Sequence, residues 1–179
     1  MSDAPPPRTS ASSRPETRSR KVVLLVGAAA LAAVDLILKA VAEARLASGE
    51  TVDLGLLTLR LHHNPGVAFG LGAGLPDWVV IAATGLIIAG LTWYLLTTAP
   101  AFTRLARTGA TLLLGGAAGN FLDRLDGDGV VDYLHTGWFP TFNLADVFIT
   151  LGALAVLVAA WRSPSARGGA ADKGGQQPR

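Results

Sequence analysis

The hydrophobic positions of this chain fall into four long blocks, with polar residues gathered between them. An α-helix needs about 20 apolar residues to cross the hydrocarbon core of a bilayer, and the blocks come close to that length. The third block is the shortest, because Gly109–Leu122 is apolar over only 14 residues. It reaches spanning length when Phe102–Thr108 joins it, with two arginines snorkelling at that end. The pattern therefore predicts membrane-spanning helices over residues of about 22–41, 78–98, 102–122 and 144–161.

The segments outside these blocks are of two kinds. Residues 1–20 and 162–179 are basic and poor in large apolar side chains, so we expect disordered tails around a membrane domain of residues 21–161. The connection between the first two blocks contains TVDLGLLTLRLHHN, in which apolar and polar residues alternate. This period of two predicts a half-buried strand or hairpin. The expected fold is an all-α membrane protein with four transmembrane helices and a small extracytoplasmic β-rich cradle.

The first block has an alternative explanation as a cleaved signal peptide, since a basic start precedes the apolar run VGAAALAAV. The run continues past Asp35 and Lys39 to a full spanning length, and three further blocks follow it. Both features favour a helix that stays in the membrane.

The composition agrees with a small multi-pass membrane protein. Half of the 179 residues are hydrophobic, only 16% are charged, and the mean hydropathy is +0.42. The chain has no cysteine, which excludes disulfides, a thiol nucleophile and thiolate metal ligands. Its three histidines, His62, His63 and His135, do not form a metal-binding motif on a helix. We expect neither a metal nor another cofactor.

The basic residues predict the orientation. The two tails and the linker between the second and third blocks hold 11 of the 15 Lys and Arg residues. Short cytoplasmic segments carry the excess of positive charge in membrane proteins. Both termini are therefore expected in the cytoplasm of a bacterial cell, and both larger loops on the outer face of its inner membrane.

Two groups of polar residues lie within or at the ends of the blocks. Asp35 and Lys39 stand four apart and share one helix face, so they either form a structural ion pair or line a wet cleft. Asn120, Asp123 and Arg124 share a face at the end of the third block. The alternative for this second group is a simple cap at the water interface.

The segment Val130–Asp146 carries two carboxylates, Asp132 and Asp146, beside apolar segments. Charged groups near the membrane core are costly and mark functional sites. Two acids delivered to one neighbourhood predict shared-proton acid–base chemistry. Asn143 precedes Asp146 by three residues on the same face. Asn64 begins the motif NPGVAFG, which is either a turn before a helix or flexible backbone beside an extended ligand.

These acids allow functions of more than one class. A membrane-embedded aspartyl protease needs both carboxylates at one place. A small proton- or ion-coupled transporter subunit would use Asp35, Lys39 and Asp146 as a relay. Four spans without an inverted repeat, and acids gathered at one membrane face, favour the protease. A structural assembly factor without chemistry is the third possibility.

Five motifs, in this order, resemble those of the lipoprotein signal peptidases, the type II signal peptidases of bacteria. They are DLILK, NPGVAFG, GGAAGNFLDRL, VVDYL and FNLAD. The resemblance covers residues of about 22–161 and implies an inner-membrane aspartyl endopeptidase. Such an enzyme removes signal peptides from diacylglyceryl-modified prolipoproteins, cutting before the lipidated cysteine. It also implies an outward-facing β-rich loop that cradles the substrate.

Carried over by motif, the resemblance implies that Asp132 and Asp146 are the catalytic pair. It implies substrate-binding or supporting roles for Asp35, Lys39, Asn64, Gly66, Asn120, Asp123, Arg124 and Asn143. The expected partners are prolipoprotein substrates and membrane lipid, without nucleic acid, and the protein is expected to be a monomer. Asp146 follows Asp132 by only 14 positions, so the flap-like structure around this connection should be reduced.

Overall fold

The computed structural model describes residues 13–66 and 74–162 of the chain. Most of the predicted disordered tails, and the end of the NPGVAFG motif, lie outside the described residues. The described elements follow one another along the chain as α1 Ser13–Leu46, β1 Val52–Asp53, β2 Thr58–Asn64, α2 Asp77–Thr98, a 3₁₀ turn Ala99–Ala101, α3 Arg104–Arg124, β3 Val130–His135 and α4 Leu144–Arg162.

The described part is therefore mostly helical with a small sheet, which confirms the predicted fold class. Three of its helices are long and apolar enough to cross a membrane, over Thr17–Leu46, Asp77–Ala101 and Leu144–Arg162. Their outer faces expose large apolar side chains, including Ile37, Leu86 and Leu157. Such a belt is stable only against lipid or another protein.

The helix α3 differs from the other three helices in composition, since it contains four glycines and is not among the helices apolar enough to count as candidate spans. Its 21 residues give a length of about 31 Å, close to the thickness of the hydrocarbon core. That α3 is a fourth membrane span stays a prediction. The side chain of Thr103 caps its start by accepting a hydrogen bond from the N–H of Ala106 at 3.2 Å.

The first helix is longer than predicted at both ends. It begins at Ser13 and ends at Leu46, whereas the sequence pattern placed residues 13–20 in the tail. Apolar periodicity detects only the part that lipid or protein covers, and a helix once formed continues through polar residues at little cost. Arg20 anchors the polar turn, because its Nη1 donates to the carbonyl oxygen of Pro100 at 3.1 Å.

The helix α3 is the centre of the bundle, and small residues let its neighbours approach it. A Cβ atom added to Gly116 would collide with the carbonyl oxygen of Ala145 on α4. One added to Gly152 of α4 would lie 2.5 Å from the backbone nitrogen of Leu113. The backbones of α3 and α4 are thus in direct contact, as small residues at a helix interface allow.

The strands form one antiparallel sheet in the order β1-β2-β3, at the end of the bundle where α1 and α3 end and α4 begins. The alternating segment is the β1–β2 hairpin, as predicted, and it turns at Gly55, whose φ is +87°. Strand β3 pairs with β2 and places Asp132 opposite His62. The chain then returns, because Phe142 forms a bridge with Leu134 of β3. This return brings the start of α4 beside the middle of β3.

Candidate active site

The carboxyl group of Asp132 lies under the sheet rather than in solvent. The residue is only 2% exposed, although β3 belongs to a surface sheet. Its Oδ1 accepts a hydrogen bond from Asn143 Nδ2 at 2.7 Å, and its Oδ2 accepts a longer one from Asn64 Nδ2 at 3.3 Å. Both amides come from segments that neighbour β3 only in the folded protein.

The second acid, Asp146, lies in the first turn of α4. Asn143 precedes the helix, and its Oδ1 accepts a hydrogen bond from the N–H of Asp146 at 3.0 Å. In return, Asp146 Oδ2 accepts one from the N–H of Asn143 at 3.2 Å. This reciprocal arrangement is a capping box built from Asn and Asp. It fixes the carboxylate at the positive end of the helix dipole, where negative charge is favoured.

Asn143 therefore contacts both acids. It is fully buried; its side-chain amide donates a hydrogen bond to Asp132, and its backbone N–H donates one to Asp146. The predicted pair is thus brought together through a single asparagine. Burial, together with the negative charge of Asp146, raises the pKa of Asp132 from 3.8 to about 7. Its hydrogen bonds from Asn143 and Asn64 oppose this rise. Near neutral pH, Asp132 retains its proton in a large fraction of molecules.

A buried cluster of charges lies next to the acids. Lys39 is 1% exposed, and its Nζ lies 2.9 Å from Asp35 Oδ2 and 3.0 Å from Asp123 Oδ2. Asp35 Oδ1 accepts a hydrogen bond from the N–H of Ala145 at 2.8 Å, which satisfies a second amide at the start of α4. The predicted Asp35–Lys39 ion pair is present, but it also joins α1 to α3 and α4.

Asn120 connects this cluster to the acids. Its Oδ1 accepts a hydrogen bond from Lys39 Nζ at 2.7 Å, and its Nδ2 donates to Asp146 Oδ1 at 2.9 Å. The lysine thereby fixes which way round the amide lies, because an ammonium group can only donate. With its oxygen committed to Lys39, Asn120 must present its NH₂ group to Asp146.

Asp123 and Arg124 are more than a cap at the end of α3. Asp123 Oδ2 accepts a hydrogen bond from the N–H of Val131 at 2.9 Å, in addition to its ion pair with Lys39. Arg124 is 7% exposed, and its Nη2 donates to the carbonyl oxygen of Gly66 at 2.6 Å. These contacts connect α3 to β3 and to the turn at residues 64–66, here named the NPG turn. The capping alternative does not account for them.

The turn at residues 64–66 is present, and the predicted contact of this segment with a ligand stays a prediction. Asn64 Oδ1 accepts from the N–H of Gly66 at 3.0 Å, which is the local bond of an Asx turn. Its amide nitrogen remains available to Asp132. The turn is therefore built so that one asparagine shapes the backbone and also contacts an acid. Residues 67–73, the remainder of the predicted ligand-binding stretch, lie outside the described residues.

Sequence reasoning missed several residues that position the acids. Arg60 donates from Nε and Nη2 to Thr141 Oγ1, at 2.9 and 2.7 Å, and so holds the loop before Asn143 against β2. Tyr133, beside Asp132, contacts the backbone of Leu144 at the start of α4, and burial raises its pKa to about 12. The partners are 81 residues apart in the first case, and no local motif signals such a pairing.

Among residues 13–66 and 74–162, no three His, Cys, Asp or Glu side chains are grouped in a way that could hold a metal ion. His63 instead contacts Glu43, at 3.1 Å, on the exposed side of the sheet. The expectation that the reaction needs no metal stays a prediction.

Comparisons with known proteins agree with this site. The family model described as signal peptidase (SPase) II matches residues 27–162. A lipoprotein signal peptidase of Rhodococcus jostii (strain RHA1) is 35% identical over 169 residues, which cover 85% of this chain and 79% of that protein. A lipoprotein signal peptidase of Brucella ovis is 43% identical over 121 residues, which cover 65% of this chain and 75% of that protein.

Solved structures show the same fold. A bacterial membrane enzyme solved by the in meso method at 2.3 Å resolution superposes with a TM-score of 0.70 at 24% identity, covering 86% of this chain and 94% of that one. A second bacterial membrane enzyme structure, at 1.9 Å resolution, has a TM-score of 0.64 at 25% identity. The match covers 79% of this chain and 94% of that one. The family match extends from α1 to the end of α4 and includes both acids and every polar residue that contacts them. The chain belongs to the signal peptidase II family.

Proposed function

We propose that this protein is a membrane aspartyl endopeptidase that removes signal peptides from prolipoproteins, with Asp132 and Asp146 as its catalytic pair. Family membership and the relatives named lipoprotein signal peptidase support the activity. The observation that carries the residue assignment is the pair of carboxyl groups held by one buried asparagine, one of them with its pKa raised to about 7. The transporter alternative has no support from the comparisons.

The two acids have different surroundings, which assigns them different starting roles. Asp132 is buried with two neutral amides and holds the proton. Asp146 lies at a helix N-terminus, beside the positive end of the helix dipole, and its two oxygens accept bonds from Asn120 Nδ2 and from a backbone amide. Asp146 is therefore the initial general base and Asp132 the initial general acid.

The reaction then follows from this assignment. Asp146 removes a proton from a water molecule held between the carboxyl groups, and that water attacks the scissile carbonyl carbon. Asp132 donates its proton to the carbonyl oxygen, forming a neutral tetrahedral intermediate. As the intermediate collapses, the C–N bond breaks, Asp146 gives its proton to the leaving amine, and Asp132 takes a proton back from a hydroxyl group of the intermediate. Asn120, fixed by Lys39, keeps the base oriented throughout.

The substrate in this proposal is a diacylglyceryl-modified prolipoprotein cut before the lipidated cysteine. The acids lie where α4 begins and where the sheet covers the bundle, so a peptide can approach from the sheet side. The apolar outer faces of the helices leave the lipid chains free to remain in the bilayer beside the site. The β1–β2 hairpin next to β3 corresponds to the expected substrate cradle.

The proposed orientation puts both termini in the cytoplasm and the acids at the outer face of the inner membrane. Eleven basic residues on the tails and on the α2–α3 linker support it. Because the chain has no cysteine, single introduced cysteines report without background. Ser48→Cys, on the sheet side, should react with an impermeant thiol reagent in intact spheroplasts, and Ser165→Cys only after lysis. The reverse labelling pattern contradicts the orientation.

The catalytic assignment is tested with purified protein in detergent and a lipidated prolipoprotein peptide. Asp132→Asn and Asp146→Asn should each lower turnover by roughly a thousandfold or more, since members of a catalytic unit fail together. Asp77→Asn is the matched control, because Asp77 is also an acid in the first turn of a helix but is exposed. Near-normal cleavage by either variant, at equal folded protein, would disprove the pair. Absence of cleavage by the unaltered protein would disprove the activity.

A further inference from the structure

A groove runs along the outer surface of the bundle between α1 and α3, at the end away from the acids. Its volume is about 700 Å³, within the range of about 300–1,000 Å³ typical of sites for small ligands. From α1 it is lined by a stripe from Val23 to Val34, and from α3 by residues between Arg104 and Leu112. The proposed reaction uses none of these residues.

The groove has the dimensions of one half of a bilayer. The α1 stripe from Val23 to Val34 extends over about 16 Å at 1.5 Å per residue, and half of the hydrocarbon core is about 15 Å. The floor of the groove is closed by direct helix contact: a Cβ atom added to Gly27 of α1 would lie 2.8 Å from Thr111 Cγ2, and one added to Gly115 of α3 would lie 2.8 Å from Leu31 Cβ. Its wall is almost entirely apolar along this length.

The end of the groove beside the start of α3 is positively charged. Arg104 and Arg107 both line it, and none of its lining residues is acidic. The first turn of α3 also contains no acid, so the positive end of the helix dipole adds to the two guanidinium groups. Among the described residues, the buried Nε of Arg107 has no hydrogen-bond partner, and its Nη2 makes a long bond of 3.5 Å to the oxygen of Phe102.

We propose that this groove binds one anionic phospholipid, with an acyl chain along the α1 stripe and its phosphate on Arg104 and Arg107. An apolar channel of single-leaflet length that ends in two arginines matches that molecule in both shape and charge. In the proposed orientation, the lipid belongs to the cytoplasmic leaflet. The binding site itself does not depend on the catalytic assignment.

A signal-peptide helix is the competing occupant, and the charge argues against it. Signal peptides carry a positive segment on the cytoplasmic side of their apolar run. Arg104 and Arg107 would repel that segment. The lipid attached to the substrate does not fit either, because it enters with the cleavage site at the other end of α3.

The test measures lipid binding by native mass spectrometry of the full chain in detergent. The probes are phosphatidylglycerol and phosphatidylcholine with identical acyl chains. The unaltered protein should retain one phosphatidylglycerol in preference to phosphatidylcholine. The double variant Arg104→Gln/Arg107→Gln should bind phosphatidylglycerol more weakly by roughly 30-fold, the effect of two basic residues at an anionic lipid surface. Arg162→Gln, an exposed arginine at the end of α4, is the control and should bind normally.

A second pair of variants tests the apolar part without changing charge. Ala30 and Ala29 are both exposed neighbours on α1, but only Ala30 lines the groove. Ala30→Phe should block the acyl chain and release phosphatidylglycerol, whereas Ala29→Phe should not. This pair and the exposed Arg104→Gln alone remain informative if the double variant does not fold.

Three results would overturn the proposal. The first is equal retention of phosphatidylglycerol by the arginine double variant and the unaltered protein. The second is displacement of the lipid by inorganic phosphate at equal concentration, which would indicate a site for the free anion. The third is displacement by a synthetic signal-peptide helix together with a higher KM in Ala30→Phe, which would assign the groove to the substrate.

Discussion

The replacement of Asn143 separates the two roles that the structure gives this residue. Asn143→Ala removes the cap oxygen that accepts from the N–H of Asp146, a loss of about 1 kcal/mol. It also removes the 2.7 Å donor to Asp132, and leaving a buried acceptor without its partner costs about 1–3 kcal/mol. Because Asn143 is fully buried, water does not replace these bonds. The free energy of unfolding should therefore fall by roughly 2–4 kcal/mol.

The same change should alter the pH dependence of cleavage. The bond from Asn143 opposes the rise in the pKa of Asp132, so its loss raises that pKa above about 7. Asp132 must carry a proton to act as the general acid, and activity is lost on the alkaline side as it ionises. The alkaline limb of the kcat/KM profile should thus move upward by about one pH unit, since 1.4 kcal/mol corresponds to one unit.

Asn143→Ser is the matched control, because serine caps a helix about as well as asparagine but cannot reach Asp132 with an amide. It should recover about 1 kcal/mol of stability over Asn143→Ala and keep the shifted alkaline limb. The assays are thermal unfolding in detergent and cleavage of a lipidated peptide between pH 5 and 9. An unshifted limb in both variants, or equal stability of the two, would refute this division of roles.

Three further predictions rest on other contacts. The folded-state pKa of Asp132 is raised to about 7, so its contribution to stability is present at low pH and is lost as the pH rises through 7. The variant Asp132→Asn should be inactive. Its melting temperature should fall less between pH 5 and pH 8 than that of the unaltered protein. Lys39→Met should destabilise the fold by about 3–5 kcal/mol, because two buried carboxylates lose their cation. Lys39→Arg should recover part of this stability in the same melting assay. An unchanged melting temperature in Lys39→Met would contradict a stabilising role of the buried charge cluster. Gly116→Ala should lower the melting temperature by separating α3 from α4, whereas Gly90→Ala, with open space around it, should raise it slightly; similar effects of the two changes would contradict the close packing.

The local pattern of the sequence was sufficient to predict most of the elements and to single out the polar residues that the fold brings together. Apolar blocks indicated the helices, and alternation indicated the β1–β2 hairpin. The ten predicted site residues all lie at the same end of the bundle. They contact one another directly or through one intervening residue. Such predictions succeed because periodicity and charge within a bilayer are properties of neighbouring residues.

Only the tertiary structure decided which polar groups meet. It shows that Asn143 contacts both acids, that Lys39 orients Asn120, and that Arg60 holds Thr141 from 81 residues away. It also shows that α1 extends back to Ser13, where no apolar period marks the helix. These facts depend on how α3 packs between α1 and α4, and on the return of the chain from β3 to α4. A buried polar group takes whichever partner the packing brings within about 3 Å, and sequence separation does not encode that distance.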